Sequence, residues 1–267
     1  MERVDGRVVI TGAGSGLGAA LCDRLAARGA RIVAADIDLA AARTTATRCR
    51  ANVHAVQCDV ADLAAVERLA ADCDRLIGGV DLVVNNAGVA VVGQVGEVPM
   101  ADWRWVIDVN LWGVIYGCHV FAPRLRAQRS GHILNVASAA GLIAMPSMAP
   151  YNVTKAAVVA LSETLYADLA GDGVGVSVLC PSFFPTNLTR SARTAVDAKL
   201  HRAAMRLVEH GSWSADEIAR AAIDGIEARA LHITPQLDLR WAWRFKRLAP
   251  TVFQRLSRRI AARMMGD

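Results

Sequence analysis

Short runs of β-branched and other apolar residues alternate with helical patterns along most of the chain. The strand-like runs are RVVIT (7–11), RIVAA (31–35), VHAVQCDV (53–60), DLVVNNAG (81–88), HILNVAS (132–138), VGVSVLCP (174–181) and LHIT (231–234). Helical patterns lie between them, over residues 16–28, 62–76, 101–129, 151–170 and 214–229. Most strand-like runs are continuously apolar, as in strands buried on both faces of a parallel sheet. The alternation predicts an α/β fold with a doubly wound parallel sheet of about seven strands and helices on both faces.

The pattern indicates one domain with an extension. Because no Pro/Gly/Ser linker or internal repeat divides the chain, residues 1–238 are predicted to form a single Rossmann-like domain. The irregular stretch at about 182–213 follows a strand, where a long excursion is typically a binding lid. Residues 239–267 are predicted to form a basic amphipathic C-terminal extension.

Composition narrows the class of protein. The chain has 267 residues, 54% of them hydrophobic and 21% charged, which excludes a disordered chain. No run of about 18 apolar residues lacks a charge or a helix breaker, and the N-terminus has no signal-like region. The six cysteines are scattered without a CxxC pair, so neither a disulfide framework nor a metal site is expected. We therefore expect a cytoplasmic protein.

The net charge of +5 comes from the C-terminal end of the chain. Residues 240–263 contain eight basic residues and no acidic one, which leaves 22 basic and 25 acidic residues elsewhere, a balance of −3. The basic character is therefore a property of the extension and not of the main domain.

A glycine-rich turn follows the first predicted strand. It reads Thr11-Gly-Ala-Gly-Ser-Gly-Leu-Gly18 and matches TGxxxGxG through Gly12, Gly16 and Gly18, with Ser15 and Leu17 between them. Glycines let a backbone approach a diphosphate closely, and the N-terminus of the following helix offers amide donors. A tight strand–helix connection is the alternative; the position after the first strand of an α/β chain favours dinucleotide binding.

An acidic residue ends the second predicted strand. Asp36 lies 18 residues beyond Gly18, where a carboxylate accepts hydrogen bonds from the adenine ribose. It would repel the 2′-phosphate of NADP, and neither Ser15 nor Ile37 is basic, so the sequence favours NAD. Asp36 could instead cap the next helix, but Asp38 is better placed to do so.

Two further strand ends carry cofactor candidates. Asp59 and Val60 follow the third predicted strand and could contact the adenine; an ordinary strand-end Asp is the alternative. The NNAG turn (85–88) places small residues at the end of the fourth.

Tyr151 and Lys155 are four residues apart at the start of a helix and therefore share one face. A cation about 4 Å from a phenol contributes about 4 kcal/mol at an effective dielectric of 20. This would lower a pKa of about 10 by about three, towards the range where acid–base catalysis is efficient. A half-buried ring beside a solvated amine is the alternative.

Two polar residues strengthen this pattern. Ser138 ends the fifth predicted strand 13 residues before Tyr151, so both can reach one substrate oxygen. Asn110 lies in the otherwise apolar segment VNLWG, where a hydrogen-bonded core amide is the alternative.

In these motifs the chain resembles the short-chain dehydrogenase/reductase family, from about residue 4 to 236. The resemblance implies that Tyr151 is the catalytic acid/base, that Lys155 lowers its pKa and holds the nicotinamide ribose, and that Ser138 binds the reacting oxygen. Asn110 would anchor a water relay behind Lys155.

The resemblance also implies cofactor contacts at two turns. One turn is Asn86, Ala87 and Gly88, and the other begins at Pro181, with Thr186 holding the nicotinamide carboxamide. The family usually reads Pro-Gly where this chain has Pro181-Ser182. Serine lacks the conformational freedom of glycine, so this departure bears on how the loop would place the nicotinamide.

Together these features predict an NAD-dependent oxidoreductase acting on an alcohol or carbonyl group. The alternatives are a reductase that works mainly on carbonyls and a dinucleotide-binding regulator without turnover; the latter should have lost Tyr151 or Lys155. Apolar residues predict a hydrophobic substrate, unless they only pack on each other; they are Ala139, Ala140, Leu142, Met145, Met148, Phe183, Phe184 and Leu188.

Family resemblance implies a homodimer or homotetramer built on helices 101–129 and 151–170. Trp105 and Trp112, seven residues apart, are expected to share a helix face. Pro250 divides the basic extension into two amphipathic segments, for which docking on the domain is the commoner arrangement. Peripheral membrane contact is the alternative, and a nucleic-acid partner is not expected because no suitable motif is present.

Overall fold

The computed structural model describes residues 6–49, 52–185, 188, 192–194 and 211–266. Its strands are β1 (Arg7–Thr11), β2 (Arg31–Asp36), β3 (Val53–Gln57), β4 (Leu82–Asn85), β5 (Val91–Val92), β6 (Gly131–Val136), β7 (Val174–Leu179), β8 (Arg193–Thr194) and β9 (His232–Ile233). Seven of these strands form one parallel sheet in the order β3-β2-β1-β4-β6-β7-β9, and β5 pairs with β8 in a separate parallel ribbon. The predicted seven-stranded parallel sheet is confirmed; the small ribbon is an addition to it.

The helices cover both faces of this sheet. They are α1 (Gly16–Ala27), α2 (Leu39–Cys49), α3 (Leu63–Ile77), α4 (Met100–Ile107), α5 (Gly113–Gln128), α6 (Ala139–Ile143), α7 (Ala149–Asp168), α8 (Ala215–Glu227), α9 (Leu237–Leu248) and α10 (Pro250–Gly266). One core cluster joins the sheet to α3, α5 and α7, and the other joins it to α1 and α8. Alternate residues of β1 serve the two cores, since Val9 lies in the first and Val8 and Ile10 in the second. The doubly wound arrangement is confirmed.

Several strands end earlier than predicted, at their carboxyl ends. β3 stops at Gln57, β4 at Asn85, β6 at Val136 and β7 at Leu179. The residues assigned to these strands beyond those points are loops, including the polar positions at 59, 86 and 138. Buried apolar residues such as Cys58, Ala137 and Cys180 continue past the strand ends, so the pattern overestimates strand length where a parallel sheet opens towards a ligand.

The predicted helix 101–129 is interrupted by a π-helical turn. Residues Asp108–Trp112 adopt this wider turn between α4 and α5. A π-helical turn inserts an extra residue and shifts the helical phase. Trp105 therefore packs inward on the cluster of Val91, Val98 and Val106, while Trp112 is exposed, and the expectation that both share one face is wrong.

The run Met100–Gln128 is also, in the described part of the chain, the one helix whose length and composition would suit a membrane span. Val114, Phe121 and Leu125 of this run are buried in the core against the sheet. A core helix of a globular domain has these same properties, so length and apolarity are weak evidence for a span.

Candidate active site

The order of the sheet reverses between β1 and β4, and a crevice at the carboxyl ends of such strands is where α/β sheets bind ligands. The glycine turn lies there, between the end of β1 and the start of α1. A Cβ on Gly18 would lie 2.2 Å from the carbonyl oxygen of Gly12, so only glycine permits this approach. Gly16 has a φ of +53°, and a Cβ there would meet nothing within 4 Å, so the turn faces open space.

Residues at the start of α1 fit a diphosphate. Ser15 caps the helix in an extended conformation, but its side chain makes no capping hydrogen bond. The first amides of a helix have no intrahelical acceptor, and the first turn of α1 carries no acidic residue. Leu17 is buried in the core, so only its backbone can face a ligand. The hydroxyl of Ser15 and these amides form a cradle for an anionic group.

Asp36 lies at the end of β2 beside this cradle. Its Oδ2 accepts a hydrogen bond from the Gly14 amide at 2.8 Å, and its Oδ1 accepts one from the Asp38 amide at 3.0 Å. Asp38 in turn accepts hydrogen bonds from the amides of Ala40 and Ala41 at the start of α2. Asp38 is thus the helix cap, as predicted, and the Asp36 carboxylate belongs to the crevice.

Asp59 and Val60 lie in the loop after β3. Asp59 is exposed and its Oδ1 accepts a hydrogen bond from the Ala61 amide at 2.9 Å, which is an ordinary turn contact. Val60 is buried, and a Cβ on Gly113 would lie 2.8 Å from its Cγ2. Adenine contact by this pair remains a prediction.

The turn after β4 joins the glycine turn to the catalytic candidates. The Asn86 side-chain amide donates to the carbonyl oxygens of Thr11 and Gly12 at 2.8 and 3.1 Å, and the Ala87 amide donates to the Thr11 hydroxyl at 3.1 Å. A Cβ on Gly88 would lie 3.6 Å from Lys155 Nζ. The three motifs separated in sequence therefore meet at one edge of the sheet.

Asn110 lies in the π-helical turn and is completely buried. Its Oδ1 accepts from the Val89 amide at 2.7 Å, and its Nδ2 donates to the Val89 carbonyl at 2.8 Å and to Thr154 Oγ1 at 3.3 Å. The side chain thus ties the segment after Gly88 to α7. These contacts are those of a hydrogen-bonded core amide, which is the alternative given above. The water relay remains a prediction.

Tyr151 and Lys155 lie together in the first turns of α7. Lys155 Nζ is 5.7 Å from the centroid of the Tyr151 ring and donates a hydrogen bond to the Val136 carbonyl at 2.8 Å. Tyr151 is 7% exposed and Lys155 is 3% exposed. The alternative of a solvated amine is therefore wrong, because both groups are buried at the end of β6.

Burial dominates the electrostatics of this pair. It raises the pKa of Tyr151 to about 12, although a hydrogen bond with Ser138 lowers it. Burial also lowers the pKa of Lys155 to about 8. The predicted lowering of the Tyr151 pKa is therefore wrong for this state of the protein, in which desolvation of the phenolate is the largest effect. At neutral pH Tyr151 is therefore a protonated phenol, and Lys155 is largely an ammonium.

Ser138 lies between β6 and α6, where it caps the short helix. Its hydroxyl accepts a hydrogen bond from the Ala140 amide at 3.2 Å. The next amide, of Ala139, donates to the Pro181 carbonyl at 2.8 Å, which joins this turn to the loop after β7. Ser138, Tyr151 and Pro181 thus lie around one end of the crevice.

An apolar cluster adjoins the Tyr151 ring. Ala140 lies in it, as predicted for the substrate side, together with Ala90, Met148, Leu188 and Ala192. Met145 is held to α7 at its backbone, because the Asn152 side chain donates to its carbonyl at 2.6 Å and accepts from its amide at 3.3 Å.

Three predicted substrate residues, Ala139, Leu142 and Phe184, have other surroundings. Ala139 and Leu142 lie in the core cluster on the α3, α5 and α7 side of the sheet. Phe184 is buried in the core cluster on the α1 and α8 side of the sheet with Leu179 and Ile218, so its assignment to the substrate pocket is wrong. Hydrophobicity alone does not say which side of a loop a ring takes. The Phe183 carbonyl lies 2.5 Å from where a Cβ on Gly211 would be, so the two ends of the lid segment are in close contact.

The loop after β7 departs less from the family pattern than the sequence suggests. Ser182 has a negative φ, a conformation that does not require glycine. Thr186 and most of the predicted lid lie outside the described residues.

The sequence did not predict a set of contacts made by Arg193 next to the apolar cluster. Arg193 on β8 stacks over the Trp105 ring at 3.9 Å and forms an ion pair with Asp102 at 2.8 Å. Its amide also donates to the Ala90 carbonyl at 3.1 Å. The residues are far apart in the chain and form no motif, so no sequence signal could have joined them.

Comparisons with known proteins agree with this site. Residues 6–197 match the model of the family described as short chain dehydrogenase. The 1-deoxy-11-beta-hydroxypentalenate dehydrogenase of Streptomyces avermitilis is 42% identical over 238 residues, covering 86% of this chain and 84% of that protein. The D-threitol dehydrogenase of Mycolicibacterium smegmatis is 34% identical over 226 residues, covering 83% and 86%.

A solved structure has the same fold. A short-chain dehydrogenase/reductase from Burkholderia phymatum, in complex with NAD, superposes with a TM-score of 0.88 at 37% identity and covers 94% of this chain and 96% of that one. The chain belongs to the short-chain dehydrogenase family. It is accordingly an oxidoreductase of the dehydrogenase class.

Proposed function

We propose that this protein transfers a hydride between NAD(H) and the CH–OH or carbonyl group of a hydrophobic small molecule. The observation that carries the proposal is the meeting of Ser138, Tyr151 and Lys155 with the cofactor cradle, where Gly88 approaches Lys155 Nζ. One crevice thus holds both a place for a dinucleotide and a group that can exchange a proton with a substrate.

NAD is the proposed cofactor because the cradle fits it. Gly16 borders open space at the start of α1, and Asp36 presents a carboxylate beside it. In the described part of the chain no basic residue forms an ion pair with Asp36, so a 2′-phosphate would meet an uncompensated negative charge. The NAD complex of the Burkholderia phymatum protein supports the same choice.

The protein's own residues handle the proton. For carbonyl reduction, Ser138 donates a hydrogen bond to the carbonyl oxygen and Tyr151 gives it the phenolic proton, while NADH supplies the hydride. Alcohol oxidation runs the same steps in reverse, so Tyr151 must first lose its proton. Lys155 Nζ lies 5.7 Å from the centroid of the Tyr151 ring, and its ammonium charge would favour the phenolate that this step needs.

The apolar cluster supports a hydrophobic substrate. Ala90, Ala140, Met148 and Leu188 lie next to the Tyr151 ring. Methionine adapts to irregular apolar shapes, and burial of apolar area is worth about 25 cal/mol per Å². A ring or chain placed against this cluster would be held by contact area and not by charge.

The test measures NADH absorbance with a panel of alcohols, from D-threitol to cyclic and long-chain alcohols. We expect Tyr151→Phe to lower kcat by at least about a hundredfold, the range lost with a general acid/base, while NAD binding is retained. Tyr166→Phe on the same helix is the matched control, because Tyr166 is exposed and far along α7 from the site. Equal turnover by Tyr151→Phe and the wild type would overturn the mechanism.

The panel also tests the substrate class. We expect kcat/KM to rise with the apolar area of the alcohol. A preference for D-threitol and other small polyols would contradict the hydrophobic assignment and leave the hydride transfer itself intact.

We propose that the protein is a homodimer or homotetramer through α4–α5 and α7. Trp112 stacks on Tyr116 with 5.6 Å between ring centroids and is exposed, as are Val153 and Tyr166 on α7. Burying side chains such as Trp112 and Val153 between subunits is favourable, and the loss of one hydroxyl in Tyr166→Phe would leave such a contact intact. Light scattering should show a dimer or tetramer at micromolar concentration; a monomer would contradict this.

We propose a cytoplasmic location. All six cysteines are free thiols, and five of them are buried. This use of cysteine fits a reducing compartment. Fractionation of cells that express the tagged chain would test it.

A further inference from the structure

The two C-terminal helices lie beyond the part of the chain that matches the family model, which ends at residue 197. α9 docks on the domain through one face. Leu239 is buried in the core, Trp243 packs against it, and Lys246 Nζ donates to the Leu142 carbonyl at 2.6 Å. Arg240 Nε donates to the Thr234 carbonyl at 2.5 Å. This face of α9 therefore docks on the domain, which is the arrangement that the sequence favours for the C-terminal extension.

The opposite face of α9 is apolar as well. Leu237, Trp241, Phe245 and Leu248 follow each other at intervals of four, four and three residues and are 65%, 66%, 40% and 87% exposed. This spacing places them on a single stripe of the helix. A helix that only docked would carry polar residues there, so docking leaves this stripe unexplained.

α10 extends the apolar stripe. Val252, Leu256 and Ile260 recur every four residues and are exposed, while Phe253 packs edge-on against Phe245 with 6.0 Å between ring centroids. Seven of the thirteen exposed large hydrophobic residues of the described chain therefore lie between residues 237 and 260. We call these seven residues, together with the basic residues between them, the C-terminal surface.

The charge of this surface is strongly positive. Residues 237–260 contain seven basic residues and one acidic residue, Asp238. Arg244 and Arg247 lie over the rings of Trp241 and Trp243 at 5.4 Å. Among the described residues, no carboxylate forms an ion pair with Arg255, Arg258 or Arg259. The cations next to the apolar stripe are thus available to an anionic partner.

Charge and apolarity together select the partner. A symmetric contact with the same surface of a second copy would bring cations against these cations and be repelled. A nucleic acid would neutralise the arginines but leave the leucine, valine and isoleucine side chains in water. An anionic bilayer accepts aliphatic and aromatic side chains at its interface and attracts the cations that flank them. We propose that the C-terminal surface binds peripherally to an anionic lipid bilayer.

This contact would place the substrate side of the domain near the lipid. α9 packs on α6, the short helix capped by Ser138, through Lys246 and the Leu142 carbonyl. A hydrophobic substrate could then pass between bilayer and crevice. The lipid contact itself does not depend on the proposed function, since binding is measured without turnover.

The experiment is cosedimentation of the full chain with vesicles of phosphatidylcholine alone and with 30% phosphatidylglycerol. One variant carries Trp241→Gln, Leu248→Gln and Ile260→Gln, and a second carries Arg255→Gln, Arg258→Gln and Arg259→Gln. All of these side chains are exposed, so the fold should be retained. The matched controls are Val95→Gln with Met100→Gln, and Arg43→Gln with Arg104→Gln and Arg220→Gln, which are exposed elsewhere.

We expect the wild type to bind the anionic vesicles at least about tenfold more tightly than the neutral ones, and to release them as salt is raised. Removing three arginines should weaken binding by about a hundredfold, and the apolar variant by at least about tenfold. The controls should bind like the wild type, and NADH formation from a water-soluble alcohol should be unchanged in every variant.

Three results would overturn the proposal. The first is equal binding to neutral and anionic vesicles. The second is a loss of vesicle binding in the control variants as large as the loss in the C-terminal variants. The third is binding to a DNA duplex without binding to vesicles, with the DNA binding retained in the apolar variant. A change of oligomeric state in the apolar variant without loss of vesicle binding would contradict the argument against self-association. A protein that binds vesicles but oxidises no alcohol would contradict only the proposed function.

Discussion

The side-chain carbonyl of Gln236 accepts a hydrogen bond from the backbone amide of Ser182 at 3.0 Å. Gln236 caps α9 and is 4% exposed, and its Nε2 has no hydrogen-bond partner among the residues that the structure describes. The contact spans 54 residues and ties the loop after Pro181 to the C-terminal helices. Where the family has glycine, this chain thus has a serine whose amide is held by a distant side chain.

We predict that Gln236→Leu raises KM for NAD by about tenfold. The substitution leaves the part-buried Ser182 amide without this acceptor, which costs about 1 kcal/mol and releases the loop proposed to hold the nicotinamide. Steady-state kinetics with varied NAD would measure it. Gln236→Glu keeps the acceptor oxygen and should restore KM; if both variants behave alike, the hydrogen bond does not position the loop.

Lys155→Met should change how stability depends on pH. Burial lowers the pKa of Lys155 from 10.5 to about 8, so between pH 8 and 10.5 the unfolded wild type binds more protons than the folded one. Wild-type stability relative to Lys155→Met should therefore rise with pH through this window, and be constant below about pH 7, where Lys155 is protonated in both states. From pH 8 to 9.5 the change should be about 2 kcal/mol in urea unfolding. If the difference in unfolding free energy between the wild type and Lys155→Met does not change with pH, burial does not lower the pKa of Lys155.

Asp36→Asn should reduce the preference for NAD over NADP. The amide keeps an oxygen for the Gly14 amide, which now donates to the carboxylate at 2.8 Å, but removes the negative charge. Repulsion of a 2′-phosphate then falls, and the ratio of kcat/KM for NAD to that for NADP should drop at least about tenfold. An unchanged ratio would mean that the carboxylate does not face the ribose.

Gly18→Ala and Gly16→Ala should differ in stability. A Cβ at Gly18 would lie 2.2 Å from the Gly12 carbonyl oxygen, a backbone atom that cannot move away, so we expect a loss of about 3 kcal/mol. At Gly16 the Cβ would meet nothing within 4 Å, and only its φ of +53° disfavours alanine, by about 1 kcal/mol. Urea denaturation of both variants measures these values. Equal losses would contradict the close contact within the turn.

The sheet, the alternation of helices and the pairing of Tyr151 with Lys155 could be predicted from the sequence, because each depends on local periodicity. An apolar run of strand length indicates a buried strand wherever it lies, and two residues four apart share a helix face. The glycine turn is equally local, since Gly12 to Gly18 span one strand–helix connection. The break at Pro250 also falls where the sequence predicts, between α9 and α10.

The tertiary structure decided what depends on contacts between distant residues. The pKa of Tyr151 is raised and not lowered, because burial under residues from several loops outweighs any effect from its own helix. Phe184 enters the core beside α8, and Trp112 faces outward because the π-helical turn shifts the phase of the helix. α9 has two apolar faces, and its packing against the domain decides which of them is buried. Desolvation and long-range packing are properties of the assembled fold, so sequence spacing carries no information about them.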